Sequence, residues 1–230
     1  MAAPAAKLQR RTLAEQISDA LIDAIMDGSV KMGDKLRTQD LADQFGVSRM
    51  PVREALISLQ ANGLVDATPY SGYRVAALDR TRIREIYIIR RALEPIVARE
   101  AAARIDEEGL ALLERELAAL EESALGSEPT ARDIYLRNRE FHFSLYELAN
   151  MPQTVEIIRT AWDRIAVYKL LYSQKYIADH EAAEQMVAGH HEILGALRDR
   201  RPDELARLLT EDIARHEQAV PDEFNHVEAS

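Results

Sequence analysis

The sequence contains no cysteine. That excludes a disulfide framework, a thiolate metal site and a cysteine nucleophile. No apolar run approaches the roughly 20 residues that a membrane-spanning helix needs. The opening stretch MAAPAAKLQRR lacks the apolar core of a secretion signal, so a cytoplasmic location is the expectation. Beyond residue 79, β-branched runs and hairpin dipeptides are missing, and Ala, Leu, Glu and Arg dominate. That half should therefore be helical. An excess of basic residues is missing as well. The net charge of −10 argues at first against nucleic acid as a partner.

What is present modifies that last exclusion. The chain has 230 residues, 47% of them hydrophobic and 30% charged, which suits a soluble protein of two domains. Residues 1–78 hold nine basic and nine acidic side chains, leaving twenty basic and thirty acidic ones to the rest. The whole acidic excess lies after residue 78, so the first part can still carry a local basic face. The expected layout is a leader over 1–11, a first domain over 12–77, a helical domain over 78–220 and a tail over 221–230.

In the first domain, Thr12 and Glu15 have capping-box spacing. Leu13, Ile17, Leu21 and Ile25 recur every fourth residue, which predicts an amphipathic helix over 12–27 ended by Gly28. Lys31 to Lys35 reads as a loop. Thr38 is placed to cap a short helix ended by Gly46, and Ser48 to cap a third. Val52, Ala55, Leu56 and Leu59 form the apolar stripe of that third helix, which Gly63 closes. Residues 64–68 and 73–76 read as two strands around the turn Pro69-Tyr70-Ser71-Gly72.

Two short helices about a glycine turn form a helix-turn-helix, whose second helix enters the DNA major groove by its N-terminal residues. Ser48, Arg49, Met50 and Arg53 lie there, outside the apolar stripe. An arginine fork can donate two hydrogen bonds to guanine O6 and N7. Ser48 and the helix N-terminus can face phosphate, and Arg37 can add a phosphate contact. The hairpin then serves as a wing with Ser71 and Gly72 at its tip. Pairs of short amphipathic helices occur in many folds, and arginines one turn apart are usually a solvated face, so the wing and glycine turn carry much of this reading.

The stretch KMGDKLRTQDLADQFGVSRMPVREALISLQANGLVDATPYSGYRVA, residues 31–76, closely resembles the winged-helix domain of the GntR family of bacterial transcription regulators. The resemblance implies that Arg37, Arg49 and Arg53 contact operator DNA, with Ser48, Pro51 and Gly72 close to it. Met50 stands where a small Thr is more usual.

Six helices are expected in the second half, over about 80–104, 107–124, 130–149, 152–176, 180–199 and 202–219, with Pro95 kinking the first. The fold class is thus mainly α: a winged helix-turn-helix followed by an all-α bundle. A bundle can enclose a polar pocket. Its candidate polar residues are Asn138, His142, His190, His191, Asp212 and His216. Asn138 with His142, and Asp212 with His216, each share a helix face. Imidazole and carboxylate donors suit Zn, Ni, Mn or Fe(II) better than Ca. By spacing alone the signal is weak, because a helical histidine is more often a surface or hydrogen-bonded core residue.

Residues 80–219 resemble the all-helical FCD effector domain of the FadR subfamily, through IRRALEP (89–95), NREFHFSLYELANM (138–151) and GHHEILGAL (189–197). The resemblance implies a divalent metal held by Asn138, His142, His190 and Asp212, with His216 as a substitute for Asp212. Asn138 replaces a frequent Asp, and Asp212 replaces the expected last His, a harder set that should favour Mn, Fe(II) or Ni over Zn. It also implies a small carboxylate effector, with Arg90 as its charge partner. Tyr135, Tyr168, Tyr172 and Trp162 are candidate walls, with ordinary core packing the competing reading. The function expected is a homodimeric, ligand-responsive regulator, a repressor of a metabolic operon, on a palindromic operator. A metal-free pocket for an acyl ligand is the alternative. A DNA-tethered metalloenzyme is disfavoured, because no general base stands beside the ligands at recognisable spacing.

Overall fold

The computed structural model describes residues 11–26, 28–68, 72–77 and 80–220. Most of the expected leader, the turn over 69–71 and the tail over 221–230 lie outside the described residues. The chain divides into two compact units between Ala76 and Ala77.

The first unit runs α1 (Leu13–Met26), β1 (Lys35–Leu36), α2 (Thr38–Phe45), α3 (Arg49–Ala61), β2 (Val65–Thr68) and β3 (Gly72–Val75). The capping box forms as its spacing predicts: the Glu15 amide donates to Thr12 Oγ1 at 3.1 Å and the Thr12 amide to Glu15 Oε2 at 2.7 Å. Ile17, Leu21 and Ile25 are buried, but Leu13, the first rung of the predicted ladder, is 54% exposed at the helix end. Gly46 ends α2 with φ 65°, the left-handed conformation a helix C-terminal glycine supplies.

Two local expectations fail. Neither Thr38 nor Ser48 caps through its side chain: Arg37 holds the N-cap position of α2, and Ser48 holds that of α3 without a side-chain bond. The stretch read as a loop ends in a strand. Lys35 and Leu36 pair antiparallel with Arg74 and Tyr73, giving a three-stranded sheet of order β1-β3-β2. A two-residue strand has no periodicity for a sequence to display. It is fixed by pairing, with the Gly33 amide on Val75 O at 3.0 Å and the Val75 amide on Asp34 O at 3.0 Å.

The second unit contains α4 (Arg80–Arg104), α5 (Glu107–Leu125), α6 (Ala131–Glu147), α7 (Pro152–Arg164), α8 (Ala166–Tyr172), α9 (Gln174–Ala178), α10 (His180–Arg198) and α11 (Pro202–Gln218). Helix α4 continues through Pro95, whose missing N–H leaves the Arg91 carbonyl outside the helical ladder. The helix expected over 152–176 is instead three segments. Ile165 leaves helical geometry at φ −109° and ψ 13°, and Ser173 Oγ donates to Lys169 O at 3.0 Å. Ala166, Val167, Tyr168, Lys169 and Leu170 are all buried. A segment buried all round cannot continue the one-sided face of α7, so the chain turns there.

This turn matters for the interior. It brings α8 in with Tyr168 and Lys169. Arg90 and Glu94 come from α4, Asn138 and His142 from α6, Trp162 from α7, His190 from α10, and Asp212 and His216 from α11, and all of them are buried.

Candidate functional site

The first candidate site is the exposed edge of α3. Val52, Ala55, Leu56 and Leu59 are at most 1% exposed and fix the helix to its unit. The opposite face is left outward. Ser48, Arg49 and Arg53 are exposed, Met50 is 64% exposed, and Pro51 is partly covered. Because Ser48 makes no capping bond, its hydroxyl is not committed to the helix. Ile57, half exposed one turn beyond Arg53, extends the same face and was not singled out in the sequence. Arg37 is exposed beside α2, 3.8 Å from Asp40, an exposed pair that holds it only weakly. Gly72 is exposed with φ 93°, a conformation open to glycine and unfavourable for other residues. Ser71 lies outside the described residues.

The second candidate site is the polar interior of the helical unit. Asn138 Nδ2 lies 3.0 Å from His190 Nε2, and His142 Nε2 lies 4.0 Å from Asp212 Oδ2. The rings of His142 and His190 are 5.2 Å apart. Each histidine has its Nδ1 engaged. His190 Nδ1 is 2.8 Å from Met186 O, and His216 Nδ1 is 2.8 Å from Asp212 O. A carbonyl only accepts, so both Nδ1 atoms carry the proton and both Nε2 atoms present a lone pair. His142 follows the same logic through a relay. Tyr146 donates its hydroxyl proton to Glu94 Oε2 at 2.7 Å, so its oxygen accepts from His142 Nδ1 at 3.4 Å. His142 Nε2 is then a bare lone pair, and it is buried without any hydrogen-bond partner.

Electrostatics match this arrangement. Burial lowers the pKa of His142 and His190 and pushes His216 down to about 3, so the three rings are neutral at pH 7. Burial acts to raise Asp212, but its pKa is lowered overall, because protonation of the neighbouring His216, His142 or Lys169 would favour the ionised carboxyl. Arg215 also pairs with Asp212 at 3.3 Å. His216 Nε2 faces the Tyr176 hydroxyl at 3.4 Å. Among the described residues no group of three or more His, Cys, Asp or Glu is already disposed to hold a metal ion.

Other candidates fall elsewhere. His191 is exposed and pairs with Glu121 at 3.2 Å. The Tyr135 hydroxyl is coupled to Arg139, which pairs with Asp163 at 2.5 Å. Tyr168 is tied into the interior, donating to His216 O at 2.6 Å. Arg90 is fully buried and gripped by Glu94, with Nε at 2.6 Å and Nη2 at 3.3 Å.

Residues 13–75 match the family described as bacterial regulatory proteins, gntR family, and residues 85–215 match the FCD domain. The chain belongs to the GntR family of transcription regulators. The HTH-type transcriptional repressor RspR of Escherichia coli K12 is 30% identical over 213 residues, 90% of this chain and 88% of its own. The HTH-type transcriptional regulator YdhC of Bacillus subtilis, strain 168, is 31% identical over 179 residues, 77% of each chain. Among solved structures, E. coli McbR/YncC aligns with a TM-score of 0.70 at 26% identity, covering 94% of this chain and 100% of that one.

In this GntR-family regulator, sequence reasoning missed two interior charges, Glu94 and Lys169, and one exposed charge, Arg215, that pairs with an interior carboxylate. Glu94 accepts from Arg90, from Tyr146 and from Trp162 Nε1, the last at 2.9 Å. Arg215 covers Asp212, and Lys169 is only 3% exposed. The first had a signal in the i, i+4 spacing of Arg90 and Glu94. Lys169 had one too: it interrupts an otherwise apolar run, AVYKLLY. No helix among the described residues is long and apolar enough to cross a membrane.

Proposed function

We propose that this regulator is a homodimeric repressor that reads a palindromic operator with the exposed edge of α3 and senses a small carboxylate inside its helical unit. Arg49 and Arg53 are one turn apart at the start of a helix whose other face is locked into the core, which supports their reading base edges. Ser48 and Arg37 would face phosphate, and Gly72 would let the wing approach the duplex. Two copies related by a two-fold axis would require a palindromic site.

The observation that carries the sensing role is the orphaned, buried Nε2 of His142, aimed toward ionised Asp212 and beside His190. A buried lone pair without a donor is costly, and a cation satisfies it. The donor set fits a divalent transition metal: two imidazole nitrogens, one carboxylate and one amide oxygen. Asn138, His142, His190 and Asp212 would hold it once the Asn138 amide turns its oxygen toward the site. That His216 Nε2 faces Tyr176 supports Asp212 as the fourth ligand. The Met186, Glu94 and Tyr146 bonds keep the His190 and His142 rings oriented, with His142 Nε2 unpartnered and His190 Nε2 released once the Asn138 amide turns. When bound, the metal supplies a positive point to which a carboxylate oxygen can bind.

Elemental analysis of protein purified without chelator tests the metal, with one equivalent per chain expected. Preparations empty of metal that also take up none on titration with Mn, Fe(II), Ni or Zn would end that part of the reading.

A further inference from the structure

The histidine cluster leaves one buried cation unused. Lys169 on α8 is 3% exposed, and its ammonium lies 5.2 Å from the centroid of the Trp162 ring. The Arg90 guanidinium stacks on the same indole at 4.3 Å. The two buried carboxylates nearby are otherwise engaged: Glu94 pairs with Arg90, and Asp212 pairs with Arg215. Arg90 uses Nε and Nη2 on Glu94, and its Nη1 is buried with no partner.

An ammonium removed from water without a counter-ion costs several kcal/mol. Burial accordingly pushes Lys169 down to about 7, with Arg90 adding to the effect and Asp212 and Glu94 opposing it. Natural cores avoid such a group unless something completes it. Here the Lys169 ammonium and the unpaired Arg90 Nη1 belong to two cationic groups that both pack over the Trp162 ring. A partner with two acceptor oxygens would complete both at once.

We propose that Lys169 Nζ and Arg90 Nη1 form a carboxylate-binding subsite against Trp162, inside the helical unit and independent of any metal. This rests on the reading that the unit senses a small carboxylate, and it adds which residues hold the acid group. A singly charged carboxylate suits the site better than a doubly charged phosphate, because Glu94 and Asp212 already place two negative charges close by.

Trp162 is the single tryptophan of the chain, so its emission reports this subsite without background. The test uses the full chain freed of metal and kept in chelator. Acetate, malonate, succinate and citrate are titrated while tryptophan emission is followed. At least one should give a saturable change. Lys169→Met, which keeps the length of the side chain without its charge, should weaken that binding about thirtyfold or more. Lys169→Arg should stay within about tenfold of the parent. Thermal melts check that both variants are folded, and removal of a buried charge should not lower stability.

Binding by Lys169→Met as tight as by the parent would overturn the subsite. So would binding of carboxylate that requires added Mn or Zn and is indifferent to Lys169, although the sensing role would then survive. Inorganic phosphate outcompeting every carboxylate would overturn the ligand class. No carboxylate binding with or without added metal would overturn both the subsite and the proposed effector.

Discussion

The two units solve opposite electrostatic problems. In the first, the cations Arg37, Arg49 and Arg53 stand in solvent on elements whose apolar faces are locked beneath them. They carry little cost in the free protein and are ready for a polyanion. In the second, Arg90, Lys169, Glu94 and Asp212 are drawn out of water among three neutral histidines. That arrangement is costly unless every charge finds a partner. A surface that waits for DNA can be cheap. An interior that holds an unsatisfied donor and lone pair is costly, which supports the proposal that it binds a ligand.

The contrast is sharpest in what single substitutions should do. The largest effect is expected at Glu94. Replacing it with Gln leaves Arg90 buried without a counter-charge and weakens the bonds from Tyr146 and Trp162. Chemical denaturation should show a loss of about 3–5 kcal/mol. A loss below about 1 kcal/mol would mean that the interior tolerates an unpaired charge.

Next comes the pH dependence of Lys169. Its folded pKa, about 7, lies below the ordinary value of 10.5. Between those values the unfolded chain binds more protons, so stability should rise with pH. The rise is up to about 4 kcal/mol, reached as the pH approaches the ordinary lysine value. Melting temperatures measured from pH 7 to pH 9 should climb in the parent and stay nearly flat in Lys169→Met. Equal slopes in both would remove Lys169 from the account.

On the outer side the effects are smaller. Arg49→Ala should weaken specific operator binding by about 1–3 kcal/mol if it reads a base edge. Competition against random DNA decides it, because an equal loss on both sequences makes Arg49 a phosphate contact. Smallest is Thr12→Ala. It breaks the capping box of α1 and should cost about 1 kcal/mol in thermal unfolding, with carboxylate binding unchanged.

The same contrast explains what the sequence could reveal. The capping box of α1 and the glycine end of α2 are local, set by residues within one turn, and they were legible. Thr38 begins α2 instead of capping it, and Ser48 holds the N-cap position of α3 without a side-chain bond, because residue type alone does not settle whether a hydroxyl turns back onto the helix. The strand at Lys35–Leu36 was invisible because only its pairing with β3 creates it. In the helical unit, Asn138 meets His190, and Glu94 meets Tyr146, 52 residues apart in each case. No periodicity announces such contacts. The break at Ile165 was hidden as well, yet it is what turns Lys169 inward. Four of the interior residues were named from resemblance, and the charges that surround them had to be seen in three dimensions.

The central claim is that an acid group bound inside the helical unit changes how tightly α3 holds its operator. The most direct measurement is fluorescence anisotropy of a labelled operator fragment, titrated with protein at fixed salt, with and without saturating carboxylate, for the parent chain and Lys169→Met. The account predicts a shift in operator affinity of about 5–150-fold for the parent. In Lys169→Met the shift should disappear while operator binding itself persists. An affinity indifferent to every carboxylate, or a shift that survives Lys169→Met undiminished, would contradict it.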